Sequence, residues 1–351
     1  MRSVDRILVI QTAFLGDVIL TLPLVAALKE FFASSSIDVL VVPRSANVLA
    51  GHPAIRRIIE FDKRGRDGGL AGLWRLASEL RREHYNLAVI PHRSLRSAAL
   101  ALLAGIPIRI GFATSSGRFI FTKRVPYDKD KHEIDRNLSL LSGIGITTYP
   151  VRPPALYPSG EDESVVAAFL TSNFGKEPPP LVALAPGTVW NTKRWHKERF
   201  AELAQACVAD GFGVVLLGGS EDGELCREVA SLGGGSGIAN AAGIMSLLQS
   251  AALIRRARLL VCNDSAPLHL ATAVGTPIVA IFGATVPAFG FGPVGARDVV
   301  VETRGLSCRP CTIHGGDACP IKTFECMERI TTERVYQKMK ALLESPRDAK
   351  T

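Results

Sequence analysis

Apolar residues in this chain fall into short unbroken runs separated by longer stretches of helical spacing, and the rhythm persists across nearly all 351 positions. Residues 7–10 form the first run, with no polar interruption, as expected of a strand in a parallel sheet covered on both faces. From 17 to 32 the spacing of Val18, Leu22, Val25, Ala26 and Leu28 predicts a helix, with Pro23 tolerated near its first turns. The alternation continues with strands at 37–42 and 55–61, a helix at 69–82, a strand at 86–90 and a helix at 96–104. Repeated strand–helix units define an α/β fold with a mostly parallel sheet.

The rhythm breaks at YPVRPPALYPSG, residues 149–160, which is too proline-rich for an element interior. An interdomain linker is expected here, dividing the chain into domains at 1–155 and 156–335, with a last helix and tail over 331–351. The second half restarts with a helix at 162–174, a strand at 181–185, a loop at 186–195, a helix at 198–210 and a strand at 214–217. A helix at 246–256 follows, then the densest signal in the chain. Residues 259–262 read as a strand, Asn263, Asp264 and Ser265 as cap-type residues, and Pro267 as a first-turn proline. The helix carrying Leu268, Leu270, Ala271 and Val274 stops at Gly275, and 278–282 is another strand. A helix at 332–344 closes the pattern. Two tandem doubly wound domains of this kind leave a cleft at the carboxyl ends of their strands.

Composition narrows the class. A hydrophobic fraction of 47% and a charged fraction of 21% describe an ordered globular chain. The net charge of +8 is unevenly placed: residues 1–150 hold 21 Lys or Arg against 13 Asp or Glu, and the remainder holds 20 of each. Such asymmetry points the first half at something anionic. Residues 265–296 carry no Lys, Arg, Asp or Glu, yet four prolines and five glycines make them a buried βα region rather than a membrane span. Gln11 and Asp17 interrupt the apolar start, so no signal peptide is expected. Seven cysteines, an odd number, argue against a disulfide framework and for a reducing cytoplasm.

Neither G-x-G-x-x-G after the first strand nor a Walker A sequence is present, and H-E-x-x-H and G-x-S-x-G are also missing. What remains is a set of polar residues at strand ends: Asp17, then Thr188 and Lys193, then Glu221 and Asp222, then Asp264 and Ser265. The helix start near Asp264 offers free N–H groups to a phosphate or diphosphate. Acid, base and phosphate-binding groups so placed favour group transfer from a nucleotide donor over hydride chemistry.

LVIQTAFLGDVILTLP (8–23), PGTVWNTKRW (186–195), NDSAPLHLATAVGTPIVAIFG (263–283) and ATVPAFGFGPVG (284–295) resemble, in that order, the lipopolysaccharide heptosyltransferases, with wording nearest the heptosyltransferase II type. The resemblance implies the GT-B architecture, two Rossmann-like domains with the second holding the donor, and inverting transfer of heptose from ADP-heptose to the inner core of lipopolysaccharide. It makes Asp17 the general base, expected to be ionised and weakly basic at a helix N-terminus. Lys193 approaches the donor phosphates, with Arg194 beside it, and Thr188 offers them a hydroxyl, while Trp195 packs. Glu221 binds the donor ribose, with Asp222 the local rival. Asp264, Ser265, Ala266 and His269 fall on the segment holding diphosphate and sugar, Ala266 standing where the family usually has glycine. His269 either hydrogen-bonds the donor or is a core residue, and Met245 either lies by the adenine or is core. Related readings are a transferase for another nucleotide sugar or acceptor, a nucleotide-sugar epimerase, and a binding protein without turnover.

The implied acceptor, lipid A bearing Kdo and phosphate, gives the basic first half a partner. Arg93, Arg96 and Arg118, with Lys123 and Arg124, are then its docking surface, on a cytoplasmic enzyme held peripherally at the inner membrane with no nucleic-acid role. No cofactor and no catalytic metal are expected. Cys308-x2-Cys311 and Cys319-x6-Cys326, with His314 between, lie within nineteen residues and read either as a structural zinc set or as free thiols packing a loop.

Overall fold

The computed structural model describes residues 4–344, in two compact units that divide between Tyr157 and Pro158. The tail expected beyond 344 lies outside the described residues. In the first unit the elements run β1 (Arg6–Ile10), α1 (Leu15–Phe31), β2 (Ser36–Val41), β3 (Arg57–Glu60), α2 (Gly69–Arg82), β4 (Leu87–Ile90), α3 (Leu95–Leu103), β5 (Ile108–Phe112), β6 (Lys123–Val125) and α4 (Glu133–Ser139). The second unit contains α5 (Gly160–Phe174), β7 (Leu181–Ala185), α6 (Lys197–Ala209), β8 (Gly213–Leu216), α7 (Gly223–Leu232), β9 (Ile238–Asn240), α8 (Leu247–Arg256), β10 (Leu259–Asn263), α9 (Ala266–Val274), β11 (Ile278–Phe282), β12 (Val299–Glu302), α10 (Glu325–Glu328) and α11 (Thr332–Glu344). No described helix is long and apolar enough to cross a membrane.

Both sheets are six-stranded and parallel throughout, in the orders β3-β2-β1-β4-β5-β6 and β12-β11-β10-β7-β8-β9. Read from its first strand, each sheet winds the same way, so the second unit repeats the first. The order reverses between β1 and β4 in one unit and between β7 and β10 in the other. Loops leaving the strands there diverge to opposite faces and open a crevice at the strand ends, which is where ligands settle in such sheets. Ile7, Leu8, Val9 and Ile10 are fully buried, as are the residues of β10, which explains their unbroken apolar wording.

The short elements departed most from expectation. β6, α4, β9 and β12 carry too few residues to build a period, and the sequence did not mark them; β5 and α7 are of ordinary length and were also missed. The first helix begins at Leu15, two residues before Asp17, because the Phe14 N–H can be satisfied from inside the helix.

Candidate active site

In the first unit, Asp17 occupies the third position of α1, and its Oδ2 accepts the Phe14 N–H at 3.2 Å. It is therefore an inward-reaching first-turn acid rather than the helix cap. The residue as a whole is half-buried, but its carboxyl lies deeper than that average, and loss of water pushes its pKa up to about 7. The neighbouring Glu133 charge adds to the rise, and the Phe14 N–H, its own N–H and Arg93 only partly offset it. The expected weak, fully ionised base is thus corrected: desolvation outweighs the helix terminus, and the carboxyl titrates near neutrality.

Glu133 was not legible as a site residue, since an acid opening a seven-residue helix gives no periodic signal. It is buried at the start of α4, where Arg136 Nη1 donates to its Oε2 at 3.0 Å. Arg93 and Arg136 stand over the Tyr127 ring at 4.2 and 5.0 Å from its centroid, so the cations beside the two acids share one aromatic ring. On the other side of the β1 loop, Lys63 Nζ donates to the Thr12 carbonyl at 2.6 Å. Burial and then Arg96, Arg44 and Arg64 lower its pKa, so four cations crowd the end of β1. His92, whose Nδ1 lies 2.8 Å from the Thr12 hydroxyl, is lowered to about 4 by burial, Lys63 and Arg93 and is neutral at pH 7.

Of the arginines expected to dock an anion, the exposed Arg93 and Arg96 belong to this cluster. Arg118 stands in the next turn, joined through the Ser116 N–H bond to the Arg93 carbonyl at 3.2 Å. Lys123 and Arg124 sit exposed on the edge strand β6. Arg44 and the adjacent Lys63 and Arg64 were missed because they lie far in sequence from Arg93 and Arg96 and meet them only through the fold.

In the second unit the loops after β7 and β10 meet around one ion pair. Lys193 Nζ lies 2.7 Å from Asp264 Oδ2, and the Thr285 hydroxyl donates to the same oxygen at 2.7 Å. Asn263, fully buried at the end of β10, ties the two loops: its Oδ1 accepts the Trp195 N–H at 3.0 Å and its Nδ2 donates to the Pro186 carbonyl at 2.8 Å. Sequence reasoning took Asn263 for a cap residue. Replacing it with alanine leaves two buried backbone groups unpaired and is expected to cost about 2–4 kcal/mol, read as a lower unfolding midpoint in urea. Trp195 is a core residue, as expected, with its Nε1 donating to the Ile330 carbonyl at 2.8 Å.

The remaining positions fall around this pair. Thr188 is buried, its carbonyl accepting from Arg194 Nη2 at 2.8 Å. Ser265 holds the cap position of α9, but its hydroxyl leans back toward the Asn263 carbonyl at 3.4 Å and makes no cap bond, leaving the first turn without a side-chain cap. Ala266 is the first residue of α9 and lies outside the positive-φ set, so the usual glycine is not needed here for backbone freedom. His269 is buried in α9 with its ring 6.5 Å from that of Phe291. Glu221 is exposed in the turn after β8, whereas Asp222 accepts the Gly219 N–H at 3.0 Å. A Cβ on Gly187 would meet the Asp222 carboxylate at 2.1 Å, so any larger residue there requires that side chain to move. Asp222 therefore shapes the loops and leaves Glu221 the outward-facing acid. Met245 is half-buried, directly before the Ser246 cap of α8.

Two parallel doubly wound units with polar residues at both strand-order reversals are the architecture of GT-B glycosyltransferases. A crystal structure of a family 9 glycosyl transferase from Veillonella parvula DSM 2008 superposes with a TM-score of 0.88 at 27% identity, covering 98% of each chain. The structure of Escherichia coli ADP-heptose LPS heptosyltransferase II superposes with a TM-score of 0.80 at 27% identity over 96% of this chain and 98% of that one. In sequence, lipopolysaccharide heptosyltransferase 2 of E. coli K12 is 26% identical over 347 residues, 96% of this chain and 98% of the relative. Residues 73–317 match glycosyltransferase family 9 (heptosyltransferase), and the chain belongs to that family. It is a glycosyltransferase.

Proposed function

We propose that this enzyme transfers heptose from ADP-heptose to the inner core of lipopolysaccharide with inversion at the anomeric carbon, the second unit binding the donor and the first the acceptor. The observation that carries the reading is the Lys193–Asp264 pair set against the uncapped start of α9. A half-buried lysine reaching toward a helix N-terminus places positive charge where a diphosphate leaving group gains negative charge as its bond to the sugar breaks. Thr188 and Ser265 supply hydroxyls beside it, Ala266 and His269 line the same turn, Glu221 meets the ribose hydroxyls, and Met245 lies against the adenine. Asp17 takes the proton from the acceptor hydroxyl as that oxygen attacks the anomeric carbon. The C–O bond to ADP breaks, and ADP departs with the electron pair. A pKa near 7 suits this role, since such a carboxylate holds a proton better than an ordinary aspartate and is still substantially ionised at neutral pH.

The donor assignment is tested by thermal shift. Binding to the folded state alone raises the melting temperature with ligand concentration. ADP is expected to raise it more than UDP, GDP or CMP at equal concentration, and a larger shift with another nucleotide contradicts the donor assignment.

The cationic end of β1 supports an anionic acceptor, lipid A carrying Kdo and phosphate, and peripheral contact with the inner membrane from the cytoplasmic side. Replacing Arg93 and Arg96 with serine is expected to raise the acceptor KM about thirtyfold while leaving the ADP-heptose KM unchanged, because each lost cation weakens attraction to an anionic surface by roughly 1 kcal/mol. Unchanged acceptor kinetics in the double variant remove the docking role.

A further inference from the structure

We propose that Glu133 is a positioning residue for transfer: with Arg136 and Tyr127 it keeps the Arg93 guanidinium off Asp17, so that the carboxylate meets the acceptor hydroxyl as a free base and not as half of an ion pair. The inference rests on the reading of Asp17 as the base and deepens it by giving a role to the buried acid beside it.

α4 is seven residues long, and Glu133, Ile134, Arg136, Asn137 and Leu138 are all buried. Two charged side chains and an amide in so short a helix are costly unless each is paired, and apolar residues would serve packing as well. All three guanidinium nitrogens of Arg136 donate: Nη1 to Glu133 Oε2 at 3.0 Å, Nε to the Asp128 carbonyl at 2.8 Å and Nη2 to the Lys129 carbonyl at 2.6 Å. The Tyr127 hydroxyl donates to the same Glu133 carboxylate. Glu133 is therefore held by two partners and has little freedom to turn away.

Its place relative to Asp17 is set where α4 packs on α1. Asn137 Nδ2 donates to the Leu20 carbonyl at 3.1 Å and to the Thr21 hydroxyl oxygen at 3.4 Å. That hydroxyl in turn donates to the Asp17 carbonyl at 2.8 Å and accepts from Gln11 Nε2 at 3.1 Å. Thr21 stands one turn after Asp17 in α1, and Asn137 one turn after Glu133 in α4. One turn nearer the N-terminus of each helix, Glu133 comes to Asp17, and its charge is the one that Asp17 feels most.

Arg93 acts on both acids and is bound to neither. Its charge is felt at Asp17 and at Glu133, yet among the described residues it forms no direct ion pair with either. It lies instead over the Tyr127 ring, 4.2 Å from the centroid, and Phe112 braces that ring edge-on at 5.0 Å. The charged and titratable groups facing Asp17 are thus Glu133 from α4, Arg93 from the turn after β4 and Tyr127 from the segment after β6. With Glu133 uncharged, its repulsion of Asp17 ends, and Asp17 becomes the carboxylate toward which Arg93 is drawn. Both changes favour an ionised and less basic Asp17.

Glu133→Gln keeps the length of the side chain and an amide oxygen for Arg136, so the fold should survive. In the full-length variant the Asp17 carboxyl, followed by ¹³C NMR and assigned with Asp17→Asn, is expected to titrate about one pH unit lower than in the unaltered protein. The acid limb of kcat/KM should move down by the same interval, and its plateau should fall about three- to tenfold because a weaker base remains. Glu133→Asp keeps the charge and should leave the limb in place. A loss of packing alone would lower the melting temperature without moving either titration. Arg93→Gln should raise the Asp17 titration by less than about half a unit in the unaltered background, where the cation is held off, and by more in the Glu133→Gln background, where the two have paired. An Asp17 titration that stays in place in Glu133→Gln overturns the proposal. So does a larger rise on Arg93→Gln alone, a result that needs no Glu133 variant to fold. Normal transfer by Asp17→Asn instead removes the base role itself, whatever the titrations show.

Discussion

Asp17→Asn is expected to lower the rate of transfer by about 10²–10⁴-fold with donor binding retained, the range that loss of a positioned base produces. Asparagine keeps the size and can still accept the Phe14 N–H through its amide oxygen, so α1 should begin where it does now. What is lost is the proton acceptor. The pH dependence follows from the raised pKa: the base is active only when deprotonated, so transfer by the unaltered enzyme should climb through pH 7 and level off above it.

Stability moves the opposite way. The folded-state pKa lies above the ordinary 3.8, so the folded chain holds a proton that the unfolded chain has released, and this carboxyl destabilises the fold progressively as pH rises from about 4 to about 7. The amide carries no such charge. Asp17→Asn should therefore melt higher than the unaltered protein at pH 8 and match it at low pH. A variant that transfers normally removes Asp17 from the base role, whatever its melting temperature.

Lys193→Ala is expected to reduce kcat/KM by about 10²–10³-fold, the scale seen when one donor to developing anionic charge is removed. In the proposed role the effect should fall on both donor binding and turnover, because the ammonium would meet the diphosphate before the bond breaks and more strongly as it does. In the unliganded protein the same substitution leaves Asp264 with Thr285 as its hydrogen-bond donor. An alanine that weakens stability but leaves the donor KM and kcat intact would make Lys193 a structural partner of Asp264 and nothing more. Arginine at 193 should recover charge without recovering position, since its planar fork cannot place a point charge in the space left by an ammonium.

Much of this was written in the apolar pattern, because β1, β4, β7, β10 and β11 lie between covering layers and are apolar over nearly their whole length, Arg6 and Asn263 standing at strand ends. The same pattern placed Asp17, Thr188, Lys193, Asp264 and Ser265 after strands, but the strand order that sets β1 beside β4 and β7 beside β10 was not in it. Features that depend on three-dimensional convergence were not legible. Asn263 reads as a cap until the Trp195 and Pro186 backbone groups are seen on its amide. Glu133 reads as a surface acid until α4 packs against α1 and places it by Asp17. The sequence places Asp17 at a helix start, where the terminus favours ionisation, but the magnitude of desolvation depends on what covers the carboxyl, and that is set by distant segments.

The most direct measurement is to incubate the enzyme with ADP-heptose and a lipid A acceptor bearing Kdo, and to determine the anomeric configuration of any heptosylated product by NMR. The account predicts heptose joined to the acceptor with configuration opposite to that of the donor, and ADP released in equal amount. Retained configuration, or transfer from a different nucleotide sugar with none from ADP-heptose, would contradict it.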